Sequence, residues 1–173
     1  MTDQIRDTGF SCLSCGSCCR ETEPGSNLVM VGPEEIRRMM DASGLAFEEI
    51  VTPYPSKIHD SGREYTFGWV IRRKEDHCMF LRDNTCLIYA SRPWICRTYP
   101  FMLTEEGLKV HPCLGIGSLK ETERPLDLAF TLCMRLDYEQ EEEDRIREIL
   151  QSAIVPEDRP VVIDGEGIKE YYG

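Results

Sequence analysis

The order of apolar and polar positions predicts a chain of short elements followed by one long helix. Residues 1–11 are polar and predict a short arm that enters a loop behind Phe10. Helical spacing begins at Gly32-Pro33-Glu34-Glu35. There a proline suits a first turn, two acids complement the N-terminal dipole, and Ile36, Met39 and Met40 share a face. Gly44 marks its end, and a shorter helix is expected over 46–51 before Pro53 and Pro55 extend the chain. From Glu64 to Arg73 the period becomes two, with Tyr65, Phe67, Trp69 and Ile71 alternating with Thr66, Gly68, Val70 and Arg72, as in a strand. Cys78 to Leu81 and Cys86 to Tyr89, joined by Arg82-Asp83-Asn84, predict a small hairpin, and Phe101 to Thr104 with Leu108 to His111 predict another. Between them Ser91-Arg92-Pro93-Trp94 predicts a capped helical turn carrying Cys96 and closed by Pro100.

Pro125 opens a long helix through about Ser152, with Leu126, Phe130, Cys133, Leu136, Ile146, Ile149 and Leu150 as an interrupted apolar stripe. The acidic run Glu139 to Asp144 inside it predicts a solvated face, or else a docking site for a basic partner. A tail over 156–173 holds one more strand, Pro160 to Ile163. The fold class expected is α+β: one small, irregular domain over 1–173, with short β-hairpins, several helices and a long C-terminal helix.

Charge narrows the partners. A net charge of −11 argues against nucleic acid, because neutralising phosphates takes a basic excess. The apolar runs are too short to insert in a bilayer. Met1 to Asp7 shows no basic and apolar leader, so the chain is expected in the cytoplasm with its thiols reduced.

Nine cysteines change the picture most. Four stand within Cys12-Leu13-Ser14-Cys15-Gly16-Ser17-Cys18-Cys19, and Cys78, Cys86, Cys96 and Cys113 follow. Thiols at i and i+3 can turn toward one metal, and Cys12, Cys15 and Cys18 take that step twice. This is how iron-sulfur proteins supply three corners of a cubane, whereas a zinc ribbon offers two separate Cys-x-x-Cys pairs. Neighbouring residues tend to project differently, which assigns Cys18 and Cys19 to different centres. Eight thiols then divide into two four-thiolate sites or into one cluster and one zinc, so the expected cofactors are a [4Fe-4S] cluster, zinc, or both. Four thiolates around a divalent ion leave a charge of −2, which Arg20, Arg92 and Arg97 would offset. Cys133 reads as a small core residue rather than a ligand, His77 and His111 stand close to cysteines but are not needed as ligands where the thiols suffice, and His59 reads as surface. A fold stapled in this way is expected to be at least partly unfolded without its metal.

The blocks Phe10 to Arg20, Cys78-Met79-Phe80-Leu81, Cys86-Leu87-Ile88-Tyr89, Arg92 to Phe101 and Cys113-Leu114-Gly115-Ile116-Gly117 resemble the CxxCxxCC cysteine-cluster family of zinc- or iron-chelating proteins. Leu114 stands where that family usually has proline. The resemblance covers about residues 10–117 and implies metal binding through the eight cysteines, without a secure reaction. The leading reading is a metal-binding protein that serves a partner, such as a larger metalloenzyme or complex, as an accessory, redox-responsive or metal-delivery factor. A zinc-stapled adaptor with purely structural metal is the alternative. Flagellin lysine methylases carry a related cluster, which adds a protein-modifying methyltransferase-like enzyme. Against that enzyme, no glycine-rich cofactor loop follows a strand, and an all-cysteine zinc leaves no position open for water. No catalytic residue is assigned.

Overall fold

Residues 1–11, expected as a loose polar arm, instead contain the helix Thr2–Asp7, whose Ile5 is fully buried. In this computed structural model, which describes residues 1–23 and 25–171, the chain has helices and several small sheets in an α+β arrangement. It divides into two compact units, one of residues 1–27 and 80–138, the other of residues 28–79 and 139–173.

In the first unit Ile5 packs with Phe101, Ala129 and Leu132. Thr122 holds the helix from outside: its hydroxyl donates to the Ile5 carbonyl (2.8 Å) and its N–H to that of Arg6 (2.8 Å). One apolar residue makes no periodic signal, which is why the pattern misses this helix. Ile5→Ala is expected to cost about 2–5 kcal/mol in a denaturant titration; no loss would show that the helix is not docked.

Phe101–Thr104 pairs with Gly107–Val110 in the hairpin the alternation predicts. The hairpin at the cysteines is shorter than expected. Only Leu81–Arg82 and Thr85–Cys86 pair, across Asp83 and Asn84, both left-handed (φ 49° and 61°) as in a tight two-residue turn. Helix Trp94–Thr98 carries Cys96 as expected. The long helix runs Pro125–Ser152 and packs Ile146 and Ile149 of the expected stripe against a core, but nearer its start it buries Ala129, Leu132 and Arg135 rather than Leu126 and Phe130. Leu126 (70%) and Phe130 (67%) are exposed, and so is Cys133, which is therefore not a core residue. The inward face is set where small Ala129 permits close approach, one helical position away from the bulkier residues.

In the second unit helix Pro33–Ser43 is fixed at its start by the Glu35 carboxylate, which accepts the Gly32 N–H (3.0 Å), and at its end by left-handed Gly44. Helix Phe47–Ile50 follows. The strand expected from Glu64 to Arg73 is divided into Arg63–Phe67, Trp69–Ile71 and the start of Arg73–Lys74. Gly68 (φ 70°) breaks it and donates its N–H to the Ile163 carbonyl (3.0 Å). Arg63–Phe67 lies in a four-stranded sheet with Ile58–Asp60, Val161–Asp164 and Gly167–Glu170. Trp69–Ile71 is the centre of another, between Met30–Val31 and Val51–Pro53. Val155, Val161 and Ile163 form a core with Tyr65, Phe67, Ile146 and Ile149. Buried Asp164 accepts the Trp69 indole N–H (2.7 Å) and pairs with Lys169 (2.8 Å). Most of the acidic run is solvated, but Glu142 turns inward, accepts the Gly165 N–H (3.2 Å) and pairs with Arg145 (2.9 Å). Among the described residues no helix is long and apolar enough to cross a membrane.

Candidate metal centre

The cysteine loop owes its curl to two left-handed residues, Ser14 (φ 51°) and Gly16 (φ 74°), which feed the 3₁₀ turn Ser17–Cys19. Cys19 N–H returns to the Gly16 carbonyl (3.0 Å) and closes that turn. A Cβ on Gly16 would come 3.2 Å from the Leu81 side chain and 3.3 Å from Asn84 Oδ1, so the loop packs closely on the hairpin that carries Cys86. Arg20 ties the same two segments by donating to Asn84 Oδ1 (3.1 Å).

At its other end the loop lies against the segment of Cys113. Ser11 N–H donates to the Gly115 carbonyl (3.1 Å), and the Phe10 ring packs edge-on to Phe101. A Cβ on Gly115 would fall 2.3 Å from the Ser11 carbonyl and 3.0 Å from the Phe10 ring. Gly115→Ala is therefore expected to cost about 2–4 kcal/mol and to lower metal content together with the melting temperature. A wild-type melt would show that the two segments need not touch. The Gly115 N–H in turn points at Cys113 Sγ (3.4 Å), the kind of donor that steadies a thiolate. Cys96 is placed by the long helix: buried Arg135 donates to Thr98 Oγ1 (3.0 Å), and Thr98 donates to the Trp94 carbonyl (3.1 Å). Nothing in the sequence pattern singled out Asn84, Thr98 or Arg135 for these tasks, because each works through a partner distant in the chain.

The 3₁₀ turn sets Cys18 Sγ and Cys19 Sγ 3.9 Å apart. Neighbouring thiols thus converge rather than diverge. Tetrahedral zinc with Zn–S of about 2.3 Å separates its sulfurs by about 3.8 Å, so the pair fits one edge of such a site. Cys18 is exposed as a residue, yet protein atoms crowd its sulfur. Its thiol is pushed strongly up, first by the hydrogen bond with Cys19, then by burial and the Cys19 charge, against the pull of Arg92. Burial also pushes the Cys86 thiol up; the Ile88 backbone and Arg92 oppose it, and Cys18 reinforces it. Cys15 goes the other way, lowered by its hydrogen bonds with the Ser17 side chain and backbone, with Sγ and Oγ 3.3 Å apart. Tyr99 is raised by burial and then by the charges of Cys113, Cys18 and Cys15. These mutual effects place Cys15, Cys18, Cys86 and Cys113 in one neighbourhood, with Arg92 and Tyr99 among them.

Cys12 is exposed on the loop. Arg97 braces Arg92 by donating to its carbonyl (2.6 Å) and also reaches the Ala90 carbonyl (3.3 Å). His111 stacks on Tyr99, with ring centroids 6.4 Å apart. Cys78 belongs to the second unit, where it pairs across from Arg73 in a two-residue ladder rather than in the hairpin of Cys86. His77 there faces Asp76 (3.0 Å), and His59 is exposed beside Glu64 (3.7 Å). Among the described residues no three His, Cys, Asp or Glu side chains stand together as a finished ligand set. The thiol-rich donor set, the Cys18–Cys19 edge and the N–H donor at Cys113 suit zinc or iron.

No solved structure matches the chain. The family "CxxCxxCC: Putative zinc- or iron-chelating domain" matches residues 11–115, more than half of the 173 residues and the whole stretch from the cysteine loop to Gly115, and the chain belongs to that family.

Proposed function

We propose that this protein binds zinc or iron through the thiolates of residues 12–19, Cys78, Cys86, Cys96 and Cys113, with Cys18 and Cys19 on one tetrahedral ion, and serves a partner protein as an accessory factor. The observation that carries the reading is the 3.9 Å separation of those two sulfurs, close to a zinc–thiolate edge. Bound metal would tie together a loop, a hairpin, a short helix and a turn, while Arg92 offsets thiolate charge near Cys18 and Cys86. Arg20 and Arg97 support the site indirectly, one by pinning the loop to Asn84 and the other by bracing Arg92. Ser17 and Gly115 steady Cys15 and Cys113. The cytoplasm, where thiols stay reduced, suits such a donor set.

A [4Fe-4S] cluster is the second reading, favoured by the repeated i, i+3 step of Cys12, Cys15 and Cys18 on a curled loop. It would add one-electron exchange and with it a redox-responsive or metal-delivery role. It takes one thiolate per iron, which gives Cys19 to a second centre. Anaerobic purification followed by elemental analysis and a visible spectrum separates the two. Zinc alone supports a structural staple, iron and sulfide with charge-transfer absorption support the cluster, and protein without either metal refutes both.

A further inference from the structure

Beside Phe130 and Met134, both exposed on the long helix, lies a cleft of about 490 Å³ whose walls also include Tyr89, Arg92, Trp94 and Arg97. The lining holds two guanidiniums and no carboxylate, in a chain whose net charge is −11. Both guanidiniums are laid on aromatic rings, Arg92 at 3.5 Å from the Tyr89 centroid and Arg97 at 5.2 Å from that of Trp94. Their Nε atoms donate to the carbonyls of Tyr89 (2.9 Å) and Arg92 (2.6 Å), which orients the two planar groups in advance. A guanidinium held in this way meets a carboxylate with little further loss of side-chain freedom.

We propose that this cleft docks an acidic segment of a partner protein, a carboxylate meeting Arg92 and Arg97 while a neighbouring aliphatic or aromatic side chain covers Phe130 and Met134. Arginine, aromatic residues and methionine are the types that anchor protein interfaces. A guanidinium fork also suits phosphate, so inorganic phosphate is the competing anion, while the exposed Phe130 and Met134 beside the guanidiniums favour a peptide that brings an apolar side chain with its carboxylate. Repulsion from the acidic remainder of the chain is screened beyond about 8 Å at physiological salt, so recognition is a contact-range effect. This inference rests on the accessory-factor half of the proposed function.

The test is fluorescence anisotropy with the full chain as purified and the labelled peptide Gly-Gly-Asp-Leu-Glu-Phe-Asp-Gly-Gly. Controls replace the acids by lysine, or Leu and Phe by glycine. Both controls are expected to bind at least about tenfold more weakly. Phe130→Glu, and separately Met134→Glu, are expected to weaken the acidic peptide at least about tenfold with circular dichroism and metal content unchanged. Equal binding of the three peptides, indifference to both variants, or displacement by inorganic phosphate or ATP would overturn the inference. Elemental analysis of the same samples keeps the two readings apart. Selective peptide binding by a chain without metal sinks the metal reading alone, and metal-loaded chain without selectivity sinks this one alone.

Discussion

Stripping the metal with a chelator is expected to loosen the unit of residues 1–27 and 80–138 while the unit of residues 28–79 and 139–173 keeps its fold. The reason is where each unit finds its stability. The first buries Ile5, Phe101, Ala129 and Leu132 in one small cluster and Phe80, Leu81 and Ile88 besides, and its thiols arrive from four separate segments. A structural zinc contributes about 10–16 kcal/mol of apparent folding free energy, as much as the whole stability of an ordinary domain, about 5–15 kcal/mol. Without it, only this limited apolar burial opposes the conformational entropy of the segments. The second unit has a sheet-based core around Val161 and Ile163, and Ile36, Met39, Ile50 and Val70 are buried elsewhere in it. Hydrogen exchange resolves the difference. Protection across Phe101–Thr104 and Gly107–Val110 should fall at least about a hundredfold after chelation, while Val161–Asp164 changes little. Unchanged protection in the first pair would mean that the metal is not part of its fold.

The second large effect concerns Cys18 and Cys19. If their sulfurs ligate one ion, as a separation of 3.9 Å favours, Cys18→Ser, Cys19→Ser and the double variant should each lose about the same single ion per chain. The loss in the double variant should not be the sum of the two singles, because residues that act on one centre are not additive. Two ions lost in the double variant and one in each single would assign the neighbours to different centres and restore the cubane division.

Much of this arrangement is legible in the sequence, where the signal is local. The Cys12, Cys15 and Cys18 spacing marks the loop, Ser91 to Pro100 marks the helical turn of Cys96, the alternation after Pro100 marks a hairpin, and Pro125 marks the long helix. The misses come where a distant contact decides. Ile5 alone cannot show that its polar helix is docked, since Phe101 and Leu132 supply the reason. Gly68 looked like one position in a strand, but its left-handed backbone moves Trp69 into another sheet. For Cys18 and Cys19 the usual divergence of neighbours gives way to the turn closed on the Gly16 carbonyl, which sets their sulfurs 3.9 Å apart. The apolar stripe of Leu126 and Phe130 was read as core because hydrophobicity gives a face but not its partner, and small Ala129 took the inward side.

X-ray absorption at the zinc and iron edges of the chain purified without oxygen, with Cys18→Ser and Cys19→Ser alongside, tests the thiolate centre most directly. The expected result is zinc or iron in an all-sulfur shell, at about 2.3 Å for zinc, which either substitution depletes. No bound metal, or a shell of nitrogen and oxygen indifferent to both substitutions, would contradict it.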